Sequence, residues 1–308
     1  MAAVSLSTSV SKLKLASPVI LASGILDLNA GLMKRVASSG VGAITTKSIG
    51  LNARKGNPNP TIVEVYDGLL NSMGLCNPGI EEFKKELDEL KGVKIPVIGS
   101  VYAGSPKEFS LVAGKMAECN VSAVELNVSC PNVSKGEKFG EAIGKNPKLV
   151  AEVVKAVKSK VRKLVIVKLT PNVSDIAEIA LSAEKAGADA LTAVNTFGPG
   201  MAINIDARKP VLGNKFGGLS GPAVKPLALA CVYKISEKVK IPVIGCGGIA
   251  SGRDVVEFLM AGAKAVEVGT AAYLKNIEVF NRINREIAGF MQKNKFKKIE
   301  DMVGLAHR

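Results

Sequence analysis

A lysine at the end of an apolar, β-branched run is costly to bury unless something anionic meets it. The sequence has two, in Thr46-Lys47-Ser48 and Lys168-Leu169-Thr170. A single lysine could carry its ammonium to the surface along its own stem. Two at equivalent points, beside amides and a thiol, argue for an anionic ligand. The thiol is Cys130, in Asn127-Val128-Ser129-Cys130-Pro131-Asn132. Buried cysteine is often an inert small hydrophobe, and that reading suits Cys119, Cys231 and Cys246. Cys130 differs because it ends an apolar run, stands beside Asn127 and Ser129, and is followed by Pro131-Asn132. A thiol acts as a base when its pKa lies near working pH, and a nearby cation favours the thiolate. Histidine, the commonest general base, occurs once, as His307 at the far end of the chain. The base is therefore expected to be another residue.

Other groups could bind anions without side-chain charge. Gly247-Gly248 and Gly269-Thr270 end two further runs. Glycine lets backbone N–H groups approach a phosphate closely, although glycines there could simply make tight turns. Around Gly74 in Asn71-Ser72-Met73-Gly74-Leu75, successive N–H groups could form a nest for a carboxylate. Asn71, Asn127 and Asn195 each donate and accept at once. Such amides suit a ring bearing both C=O and N–H groups, as pyrimidines do. Each alone is more often a turn residue; their convergence favours a site.

The elements that must position these groups are eight apolar runs alternating with helical patterns. The strands are expected at Pro18–Gly24, Gly42–Ile49, Ile95–Tyr102, Ala123–Cys130, Leu164–Leu169, Ala190–Phe197, Pro242–Gly248 and Ala265–Ala271. Helices are expected at Glu81–Leu90, Pro106–Cys119, Pro147–Val161, Ser174–Ala186, Ala223–Val239 and Asp254–Ala261, with a last helix and polar tail from Asn276. This order predicts an α/β fold, a (β/α)₈ TIM barrel forming a single domain over all 308 residues. An open doubly wound sheet would want Gly-x-Gly-x-x-Gly after the first strand, and Ala22-Ser23-Gly24-Ile25-Leu26-Asp27 does not supply it. Two insertions, 51–79 and 198–221, leave the carboxyl ends of the second and sixth strands, where barrel active sites are built. The two glycine pairs then fall on the seventh and eighth strands, which carry the phosphate site in such barrels.

Composition narrows the class. Hydrophobic residues make up 47%, aromatics 4%, and Trp is absent, so the core must be Val, Ile, Leu and Ala, as buried parallel strands require. The net charge of +14 admits nucleic acid, an acidic protein or small anions as partners. The lysines are scattered over helical patterns without interleaved aromatics, so solvated helix faces are the plainer reading. Five cysteines, an odd number with no Cys-x-x-Cys, argue against a disulfide framework or a metal site and for a reducing cytoplasm. No signal peptide and no bilayer-spanning run is visible.

Together, these motifs resemble the class 1 dihydroorotate dehydrogenases, from about Pro18 to Ala272. The matching segments include Thr46–Ser48, Asn71–Leu75 with Asn77-Pro78-Gly79, Glu125–Asn132, Lys168–Asn172, Asn195-Thr196, Gly217–Pro222, Gly245–Ile249 and Val268–Ala271. The resemblance implies one FMN per chain at the barrel mouth, with its phosphate on Gly247, Gly248, Gly269 and Thr270. Ser23, Ser48, Asn127, Val194 and Gly221 would line the flavin, with Lys47 and Ser100 also near it. Lys168 would stabilise negative charge on the reduced ring. Lys47, Ser72 and the backbone of Met73, Gly74 and Leu75 would hold the carboxylate of dihydroorotate or orotate. Asn71, Asn127, Asn195 and Thr196 would bond the pyrimidine ring, and Cys130 would remove the C5 proton while C6 delivers hydride to the flavin. Cys rather than Ser at 130 resembles class 1, and Asn77-Pro78-Gly79 resembles the NAD-linked type B catalytic subunit. That form implies a homodimer core and a heterotetramer with a subunit carrying FAD and a 2Fe–2S cluster. Ser100, where the family often has Asn, and Cys76, where type B commonly has Gln, depart from the pattern.

Three other classes were weighed. A dihydropyrimidine dehydrogenase-like enzyme acting on uracil or thymine would share Cys130 but need no carboxylate nest. A tRNA-dihydrouridine synthase would suit the charge, but the chain has no barrel histidine and a short tail after the eighth strand. A non-catalytic scaffold would not need Lys47, Cys130 and Lys168. The reading therefore includes no nucleic-acid and no membrane partner.

Overall fold

The computed structural model describes residues 4–129 and 141–308. Eight parallel strands, β1 (Val19–Leu21), β2 (Ala43–Thr45), β3 (Val97–Val101), β4 (Ala123–Asn127), β5 (Leu164–Lys168), β6 (Ala190–Ala193), β7 (Val243–Cys246) and β8 (Ala263–Val268), pair in chain order. The ring closes where β8 meets β1, with Val266 opposite Val19. This is the (β/α)₈ barrel that the alternation of runs predicts.

The covering helices are α1 (Ala30–Ala37), α2 (Ile80–Glu89), α3 (Pro106–Ala117), α4 (Pro147–Lys158), α5 (Ile176–Lys185), α6 (Lys225–Ser236), α7 (Gly252–Met260) and α8 (Glu278–Lys293). Their starts follow local chemistry. Ser105, Asn146, Asp175 and Ser251 accept hydrogen bonds from orphan N–H groups of the first turns, and Pro106 and Pro147 stand just inside. Each buries one apolar face, as with Val150, Val153, Val154 and Val157 on α4.

Strand side chains alternate between the helix side and the barrel interior. The lowest inward layer takes one residue from every strand: Ile20, Ala43, Ile98, Ala123, Ile166, Ala190, Ile244 and Ala265. Isoleucine comes from odd strands and alanine from even ones, so large and small side chains interdigitate. A two-stranded hairpin, Thr8–Val10 with Leu13–Leu15, closes this amino-terminal end by laying Val10, Leu13 and Leu15 on the layer. Neither this hairpin nor α1 is among the elements expected from the sequence.

The two insertions combine above the other end. Ile62–Val65 pairs with Gly68–Asn71, which pairs with Gly217–Ser220, which pairs with Phe197–Gly200, all antiparallel. Residues 140 or more positions apart thereby form one small sheet.

Candidate active site

Two positions further along each strand, the interior turns polar. Even strands contribute Thr45, Glu125, Thr192 and Glu267; odd strands contribute Ala22, Ser100, Lys168 and Cys246. One step higher, Lys47, Asn127, Val194 and Gly269 follow the even strands and line a cleft at the carboxyl-terminal mouth. The cleft encloses about 1300 Å³ including its open mouth. Ile62, Leu69, Asn71 and Leu219 of the four-stranded sheet form one wall. A barrel mouth roofed by loops is the usual site for a small ligand in this fold.

One end of the cleft is built from backbone. Gly247 and Gly248 follow β7 with φ of +125° and +76°, conformations that favour glycine. A Cβ on Gly248 would fall 2.6 Å from the backbone nitrogen of Lys225. The N–H groups of Gly247 and Gly248 have no acceptor among the described residues. Gly269 and Thr270 close the same end, at the start of a short extra helix, Thr270–Lys275. Orphan amides and a helix start after strands seven and eight fit a phosphate.

The other end has a different donor set. Gly74 and Leu75 both have positive φ, +67° and +58°. A Cβ on Gly74 would meet Asn57 at 2.7 Å. The N–H groups of Met73, Gly74 and Leu75 have no acceptor among the described residues, although the carbonyls of Met73 and Gly74 are taken by Asn57 and Arg54. Lys47 lines the same cleft with no carboxylate at ion-pair distance among the described residues. An ammonium without an ion-pair partner among the described residues and a backbone nest fit a small carboxylate.

Between the two ends runs a hydrogen-bonded chain. Asn195 Nδ2 donates to Ser129 Oγ at 2.8 Å, and Ser129 Oγ donates to Asn127 Oδ1 at 3.0 Å. Asn127 Nδ2 donates to Ser48 Oγ at 2.9 Å, and Ser48 shares a further bond with Ser23 at 3.3 Å. The amides are thus held in fixed orientations, which is what recognition of a planar polar ring needs. Asn71 donates to Gly218 O at 3.3 Å, tying the two insertions together at the cleft wall.

Lys168 differs from Lys47. Its Nζ lies 2.6 Å from Glu267 Oε2, and both side chains are buried. Burial pulls the ammonium's pKa down, but Glu125 and Glu267 outweigh it and the net shift is upward. Cys246 is pushed up to about 12 by burial, against the pull of Lys168, so this thiol stays protonated. Burial also raises Asp27 to about 6, although Lys47 and the Gly24 N–H oppose it.

Ser23, Lys47, Ser48, Asn71, Met73, Gly74, Leu75, Asn127, Lys168, Val194, Asn195, Thr196, Gly221, Gly247, Gly248, Gly269 and Thr270 all line this one cleft. Ser100 and Ser72 do not. Ser100 sits one layer below, bonded to Ser48 at 3.0 Å. Ser72 is fully buried, and its hydroxyl has no hydrogen-bond partner among the described residues. Cys130 lies outside the described residues. Glu125, Glu267, Cys246 and Asp27 are absent from the expected site. Carrying the two-residue alternation down from Asn127 and Gly269 would have exposed both glutamates as inward charges.

Fold and cleft define a (β/α)₈ barrel whose mouth holds two separate groups of backbone N–H donors without acceptors among the described residues. Comparison with known proteins gives the family: its model, dihydroorotate dehydrogenase, matches residues 5–291, and the chain belongs to that family. Among similar proteins is the dihydroorotate dehydrogenase B (NAD(+)) catalytic subunit of Methanothermobacter thermautotrophicus, 48% identical over 98% of both chains. Proteins of the same description from Methanocaldococcus jannaschii and Pyrococcus abyssi are 47% and 49% identical, covering 98% and 96% of both chains.

Proposed function

We propose that the chain oxidises dihydroorotate to orotate in pyrimidine biosynthesis, with FMN as its bound cofactor. One observation carries this reading: a single cleft has two separate donor groups, orphan amides at Gly247-Gly248 and Lys47 with the Met73–Leu75 nest. A cofactor phosphate suits the first and a substrate carboxylate the second. Bound FMN supplies a ring that accepts hydride. Asn71, Asn127, Asn195 and Thr196 orient the substrate ring between the two sites, and Ser23, Ser48, Val194 and Gly221 line the flavin. Lys168, which lines the cleft, would supply positive charge to the cofactor, and a dry, preorganised site stabilises negative charge most effectively. Cys130 takes the C5 proton; this assignment rests on its sequence context.

The names of the relatives support the NAD-linked form, in which a partner subunit carries FAD and a 2Fe–2S cluster. Among the described residues no group of three or more His, Cys, Asp or Glu side chains could hold a metal ion. No helix of the described chain is long and apolar enough to cross a membrane. A homodimer core, a heterotetramer with the partner subunit, a single barrel domain and a cytoplasmic location complete the reading.

The test is anaerobic mixing of the purified protein with dihydroorotate. The yellow flavin bleaches, and Cys130→Ala slows the bleaching about 10²–10⁴-fold at neutral pH, the usual worth of a general base. Colour that persists in the wild type overturns the substrate.

A further inference from the structure

Beneath the cleft, two carboxyl groups face one ammonium. Glu125 of β4 and Glu267 of β8 are both buried, as is Lys168 of β5. The groups facing them are Lys168 of β5, Cys246 of β7, and the hydroxyls of Thr45 on β2, Ser100 on β3 and Thr192 on β6; Lys47 and Asp27 stand nearer the mouth. Glu267 takes the cation: Lys168 lies 2.6 Å from Oε2, and Thr45 donates to Oε1 at 3.1 Å. Glu125 receives only neutral donors, Ser100 at 3.1 Å and Thr192 at 3.0 Å. Ionising both carboxyls would leave a net negative charge in a dry interior, which costs several kcal/mol. Like charges sharing a site cannot both ionise easily. Burial first, and then Glu267, push Glu125 up to about 8.

We propose that Glu125 and Glu267 hold one proton between them at neutral pH, and that this shared proton is a positioning device. It leaves Lys168 balanced by a single carboxylate instead of overbalanced by two, and so sets the reduction potential of the cofactor held above it. The idea rests on the FMN reading. A route for the proton exists, because Ser48 lines the cleft, shares a hydrogen bond with Ser100 at 3.0 Å, and Ser100 donates to Glu125. When the shared proton leaves, the layer carries an extra negative charge, and adding electrons above it becomes harder. The potential therefore falls more steeply with pH between the pair's titration beneath the oxidised cofactor and its higher titration beneath the reduced one, and above both it resumes its earlier slope from a lower value.

Two readouts test this. Infrared spectra of the purified protein report the neutral carboxylic acid directly. Its band is present at neutral pH, disappears as the pH rises past about 8, and is missing from Glu125→Gln. The wild-type titration needs no variant, so poor folding of Glu125→Gln does not blunt it. The second readout is the midpoint potential of bound FMN against pH. The wild type shows a downward break near 8 that Glu125→Gln lacks, while any break belonging to the flavin itself stays in both. A purely structural glutamate would leave that profile unchanged. Absence of the acid band overturns the shared proton, and identical potential profiles overturn its coupling to the cofactor. A protein that neither holds nor binds FMN refutes the cofactor reading and the coupling with it, while the infrared arm still decides the shared proton.

Discussion

The two ends of the barrel are made by the same eight strands and could hardly differ more. At the amino end, an alternating ring of isoleucine and alanine is sealed by Val10, Leu13 and Leu15. Two residues along, the same alternation delivers Thr, Glu, Thr and Glu, and then Lys168 and Ser100. The first end does nothing but pack, and its side chains need no partners. The second end stores charge, and each charge there is balanced, shared or left waiting for a ligand. Stability is built at one end and, in part, relinquished at the other for binding.

Substitutions can break this contrast. Lys168→Ala removes the cation from two buried carboxyls and should cost about 3–5 kcal/mol at neutral pH. Chemical unfolding at several pH values checks it, because the loss should shrink in acid as the carboxyls protonate. Leu15→Ala opens a cavity in the apolar floor and should cost about 2–5 kcal/mol. Unlike Lys168→Ala, that loss should be insensitive to pH and should leave ligand affinity unchanged, as unfolding and titration on one sample will show.

Asp27 sharpens the contrast from the opposite side. Its carboxyl is raised in the folded state, from 3.8 to about 6. The folded protein then binds more protons than the unfolded chain between those values, so this group's contribution falls as pH rises through that window and stays lost above it. Asp27→Asn keeps an acceptor for the Gly24 N–H and removes the penalty. It should stabilise the protein by about 2–3 kcal/mol at neutral pH and not at all in strong acid. Thermal melts at both extremes test the sign.

The barrel was legible because its strands fall in apolar, β-branched runs that alternate with helical patterns. Lys47 and Lys168 stood out at the ends of such runs, and the glycines after β7 and β8 fell where strand order puts a phosphate site. The hairpin at Thr8–Val10 was not legible, since three residues of alternation carry no pattern, and its role is set by packing into the cluster of inward Ile and Ala side chains. Helix α1 is only eight residues long, too short for its apolar positions to set out a clear helical period. The small sheet over the cleft joins segments far apart in sequence, so no local signal announces it. Ser100 shows a subtler limit. It shares its layer with Lys168, but a lysine is long enough to reach the cleft and a serine is not. The glutamates were hidden inside runs that otherwise read as plain core.

The central claim is that Lys47 and the Met73–Leu75 nest receive a carboxylate. Equilibrium titration of the flavin-loaded protein with orotate and with uracil, in wild type and Lys47→Ala, tests it most directly. Orotate should bind the wild type far more tightly than uracil. Lys47→Ala should weaken orotate about 10–100-fold, the worth of a charged hydrogen bond, and leave uracil binding and folding stability unchanged. Equal affinity for the two ligands, or an equal loss of both in Lys47→Ala, would contradict the account.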